Sequence, residues 1–86
     1  MEDYLVWYKE TQDSQDIVAG VCRSYDCGRE LALQLAFVLR YFEEQKKIYQ
    51  VGVTRVPINK VISKFREESY ATRWVVVQEG KEIPED

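Results

Sequence analysis

Between Asp26 and Lys47 the apolar residues of this chain recur at helical spacing, whereas the stretches on either side favour alternation in twos. One long amphipathic helix among strand-forming segments leaves few architectures open, because the helix must lie on a sheet built from its neighbours. Its ends are chemically marked. Asp26 is placed to cap the N-terminus, Glu30 lies in the positive first turn, and Lys46 and Lys47 stand at the negative end. Leu31, Leu35, Val38, Leu39 and Phe42 fall on one stripe, which is expected to face the core. Leu33, Phe37 and Tyr41 form a second stripe far around the wheel. The helix thus has nearly two apolar faces where a surface helix needs one.

The flanking segments read as strands. Tyr4 to Lys9 (YLVWYK) sets Leu5, Trp7 and Lys9 opposite Tyr4, Val6 and Tyr8. The polar run Thr11 to Asp16 breaks it, and Ile17 to Cys22 (IVAGVC) returns as the second strand of a hairpin, with Gly20 marking a bulge. A helix starting at Ile17 after an Asp16 cap is the alternative, against which Gly20 and the β-branched residues count. Ile48 to Val56 is a strand with Tyr49, Val51 and Val53 on one face and Gly52 letting another backbone come close. Pro57 closes it and opens a second helix, whose Ile58, Val61, Ile62 and Phe65 keep core spacing. Tyr70 to Gln78 is the last long strand, and its three valines indicate burial on both faces. Glu79-Gly80 turns the chain into a short extension ending at Pro84, and residues 85–86 fray. At 86 residues the chain supports one core, so residues 1–86 form a single domain. The expected fold is α+β: a small two-layer sandwich, order ββαβαβ, with a mostly antiparallel sheet and two helices on one face. Trp74 and Phe42 are expected in its core.

Composition removes several chemistries. Histidine is absent, and with it the commonest general base, the commonest zinc ligand and any Ser-His or Cys-His pair. Cys22 and Cys27 have no further Cys or His with which to complete a metal site, and both are expected to be reduced and buried. A sharper reading puts Cys27 in the first helical turn between Arg23 and Arg29, where the helix dipole favours a thiolate. Glu43-Glu44 and Glu67-Glu68 end their helices in exposed, Lys-flanked positions, and Asp13, Ser14 and Asp16 read as turn chemistry. Nothing here points to an enzyme, a metal or a cofactor. The start of the chain lacks a signal-peptide pattern and no segment is apolar enough to span a membrane, so a cytoplasmic location is expected.

Two binding surfaces remain as candidates. Residues 1–39 hold three basic and seven acidic side chains, residues 40–73 eight and four, and the remainder one and four, within a formal net charge of −3. The overall sign argues against a general nucleic-acid binder. The basic middle could still receive a nucleotide or other phosphate ligand through Thr54, Arg55, Lys60, Lys64 and Arg73, although Gly52 stands alone where a phosphate loop needs several glycines. The stronger candidate is the second helical stripe. A two-layer fold covers only one side of its central helix, which leaves Leu33, Phe37 and Tyr41, rimmed by Arg40 and Glu44, for a second copy of the chain or another protein. In length, acidity and lack of a catalytic motif the chain resembles the small stand-alone regulators and inhibitors of phages and other mobile elements. That likeness is one of genre and implies a regulatory, non-enzymatic interaction domain; the second stripe adds the expectation that the domain self-associates.

Overall fold

The structure, a computed structural model, describes residues 2–42, 48–57 and 72–84. Along the chain run β1 (Glu2–Lys9), β2 (Ile17–Cys22), α1 (Tyr25–Phe42), β3 (Gln50–Pro57), β4 (Thr72–Gln78) and β5 (Lys81–Glu82). The strands form one antiparallel sheet in the order β2-β1-β3-β4-β5, with α1 packed on one face. The α+β class and the antiparallel sheet are as the alternating segments imply. The second helix, expected from Pro57, falls outside the described residues, except that Pro57 itself is the last residue of β3.

Residues 17–22 form a strand, and the hairpin with β1 carries its bulge at Ala19, beside the expected Gly20. Gly20 opposes Val6 and Val18 opposes Trp7, which leaves Ala19 as the extra residue. Gly20 has its own steric reason, since a β-carbon there would stand 2.9 Å from Leu31 Cδ2 of α1. The loop between the strands closes on a local turn. Ser14 N–H donates to Thr11 O (3.2 Å), and Ser14 Oγ accepts from Thr11 N–H (3.1 Å).

Strand pairing assigns the faces. Tyr4, Val6 and Tyr8 of β1 share the helix-covered face with Val51 and Val53 of β3 and Trp74 of β4, whereas Leu5, Trp7, Gly52 and Thr54 share the far face. In the central strands β1 and β3 both faces are buried: Leu5, Val6 and Trp7 in one, Val51 to Thr54 in the other. Of the three valines of β4, Val76 and Val77 are buried and Val75 is half-buried. The turn from β4 to β5 uses Glu79 (φ 49°) and Gly80 (φ 85°), both left-handed, as a two-residue hairpin of this twist requires.

Three expectations need correction. The cap of α1 is Ser24, whose Oγ accepts a hydrogen bond from Cys27 N–H (3.2 Å), and Asp26 lies inside the first turn. Ser24 also supplies its backbone carbonyl to Gly28 N–H (3.0 Å), so the helix begins earlier than the apolar spacing suggests. The core-facing line of α1 is also rotated from the stripe of large residues. Ala32 is fully buried and Gly28 lies so close to the sheet that a β-carbon would approach Val53 Cγ1 to 3.2 Å. Leu31, Leu35 and Leu39 are half-buried and Val38 is exposed. Small residues let the helix backbone approach the sheet, and Leu31, Leu33 and Leu35 pack against the core around that contact. Finally, Trp7 is the fully buried tryptophan. Trp74 is half-buried, its ring 6.4 Å from that of Tyr4 and 4.7 Å from that of Tyr25, and the side chain of Phe42 lies outside the described residues.

Candidate functional site

The outer face of α1 follows from the way its inner face is held. With Gly28 and Ala32 on the sheet, Arg29 points toward the C-terminal strand. Its Nη2 donates to Ile83 O (3.1 Å) and lies 3.4 Å from Glu82 Oε1. Phe37 falls on the side away from the sheet and is 67% exposed, the largest exposure among the described large apolar side chains. Leu33, one turn earlier, is half-buried and packs against the core cluster, while Arg40 is exposed. The side chain of Tyr41, and Glu44, lie outside the described residues.

The basic candidates are split by the sheet. Thr54 and Arg73 oppose each other on the far face. Arg55 belongs to the helix-covered face, where its Nη2 donates to Thr72 Oγ1 (3.1 Å). Lys60 and Lys64 lie outside the described residues. Arg73 is, moreover, heavily engaged. Gly52 has no side chain, the Trp7 indole lies over it, and the Arg73 guanidinium carbon stands 3.7 Å from the centroid of that ring. Its two terminal nitrogens donate to the carboxylate of Asp16, Nη1 to Oδ2 at 2.7 Å and Nη2 to Oδ1 at 3.1 Å. A bidentate, stacked guanidinium is strongly oriented and its charge is compensated. Beneath it, Trp7 Nε1 and Thr54 Oγ1 are buried without a hydrogen-bond partner.

The two cysteines part company. Cys22 is buried, and burial, with a hydrogen bond that its thiol donates to Cys27 and the charge of Cys27 adding to it, pushes its thiol up to about 11. Cys27 is exposed, which corrects the expectation that both are buried, and it does occupy the first turn of α1. No group of three potential metal ligands occurs among the described residues, and none of their helices is long and apolar enough to cross a membrane.

One further surface is not marked by any sequence periodicity. β2 lies at an edge of the sheet with Ile17, Val18 and Val21 exposed, and Val38 is exposed on α1 two turns beyond Leu31, the residue that meets β2 at Gly20. The available signal was the absence of any charge from IVAGVC. No protein-family model, curated protein or solved structure matches this chain.

Proposed function

We propose that the chain is a non-enzymatic protein-interaction domain of regulatory or inhibitory kind, which assembles with itself through the outer stripe of α1. The observation that carries this reading is Phe37, two-thirds exposed on the helix face that the sheet does not reach. An aromatic left two-thirds exposed forfeits part of the about 1.5–3 kcal/mol that full burial of a large apolar side chain supplies, and an isologous contact covers it in both copies at once. Leu33 beside it anchors the stripe to the core, and exposed Arg40 supplies a polar rim. The phosphate-ligand reading loses support from the same geometry, because Asp16 and Trp7 occupy Arg73 and the sheet separates it from Arg55. Phe37→Glu tests the proposal. The variant should fold with a melting temperature close to the parent's, since the position is exposed, and should show a lower assembly mass by light scattering. An unchanged mass would count against the stripe, and a variant that unfolds would make Phe37 a core residue.

A further inference from the structure

The two edges of the sheet differ in kind. β5 is two residues long and charged, Lys81–Glu82, the sort of edge that resists pairing with another chain. β2, at the other edge, runs six residues without a charge or a proline, and exposes Ile17, Val18, Ala19 and Val21. We propose that this edge pairs antiparallel with β2 of a second copy about a twofold axis, joining two five-stranded sheets into one. The inference rests on the reading that copies of the chain meet, but it places a contact on a surface other than the α1 stripe.

The register argues for a second copy as the occupant. In a self-antiparallel pair, side chains that oppose each other must leave the same face of the sheet. For a six-residue strand centred on its own dyad, strict alternation forbids this, because mirror-related positions such as Val18 and Val21 would fall on opposite faces. The bulge at Ala19 removes the obstacle. Val18 opposes Trp7 and Val21 opposes Leu5, and those two β1 residues share the far face. Ile17 and Cys22, opposite Tyr8 and Tyr4, share the helix-covered face. The centred register therefore sets Val18 against Val21 of the second copy, Ile17 against Cys22, and Ala19 against Gly20. One step beyond each end it sets Asp16 against Arg23, acid against base, twice per dimer. Asp16 is held by Arg73 but keeps lone pairs for a second guanidinium, and Arg23 is exposed. A parallel pairing would set like charges side by side. The dyad stands perpendicular to the sheet, so both copies of α1 lie on one side of the joined sheet and the edge contact does not itself cover Phe37.

Phe37→Glu is the background in which to test the edge, because it removes the stripe contact. In that background the protein should still run as a dimer at several hundred micromolar. Adding Val18→Lys and Val21→Lys, both at exposed positions, should make it monomeric with the far-ultraviolet circular dichroism retained. Arg23→Glu alone should raise the dimer dissociation constant at least tenfold. Hydrogen exchange needs no edge variant: the β2 amides that point away from β1 should be protected in concentrated solution and exchange rapidly on dilution. A Phe37→Glu protein that is monomeric while the parent assembles would overturn edge pairing and leave the stripe standing. So would a dimer whose mass the two lysines do not change, or β2 amides whose exchange ignores concentration. A parent monomeric at the same concentration would overturn both contacts.

Discussion

Thr54 is the residue whose chemistry fits its surroundings least. Its hydroxyl is buried on the far face with no hydrogen-bond partner, beside the equally unpartnered Trp7 Nε1. A buried polar group without a partner costs about 1–3 kcal/mol, whereas an apolar group of the same shape does not carry that penalty. Thr54→Val should therefore raise stability by about 1 kcal/mol in thermal or urea denaturation. A loss of that size instead would show that the hydroxyl is hydrogen-bonded in solution. The cysteines give a second prediction at this scale. Cys27 should react with a maleimide in the folded protein, and Cys22 only at the rate of unfolding. Because burial raises Cys22 from its ordinary value of 9.0 to about 11, folding favours the protonated thiol. That contribution is fully present below pH 9 and is lost as pH rises toward 11. Cys22→Ala should flatten this part of the alkaline stability loss. An unaltered profile would assign the loss to other groups.

At the scale of elements, the packing of α1 is decided by its smallest residues. Ala32 is fully buried and Gly28 nearly touches Val53, so the helix sits as close to the sheet as its backbone allows. Ala32→Leu should cost about 1–3 kcal/mol by forcing the helix off the sheet. Val38→Ala, at an exposed position on the stripe of large residues, should cost well under 1 kcal/mol. Equal costs in urea denaturation would return the core to the stripe of large residues. The existence of α1 and of the long strands is legible in the sequence, because helical and alternating periodicities are local. The rotation of α1 is not. It depends on where Tyr4 and Val53 lie beneath Gly28, and those residues are far apart along the chain. The start of the helix is not legible for a simpler reason: Ser24 and Asp26 are both good caps, and only the backbone geometry chooses between them.

At the scale of the whole molecule, strand order sets what is inside and what is offered to partners. β1 pairs with β3 as well as with its hairpin partner, which buries Trp7 and pushes β2 to an edge. Composition cannot show this, since IVAGVC suits a central strand as well as an edge. The same long-range pairing joins Asp16 to Arg73, 57 residues apart, so an arginine that the sequence suggests for a ligand is bound within the fold. Exposed Phe37 needed only the local argument that one helix face would be left over, whereas the β2 edge needed the topology. Both surfaces lead to one claim, that copies of this chain associate, and the molar mass of the unmodified protein in solution tests it most directly. Light scattering across a concentration series to several hundred micromolar should show a mass rising to at least twice the 10.2 kDa of one chain. A constant mass of one chain throughout would contradict the account.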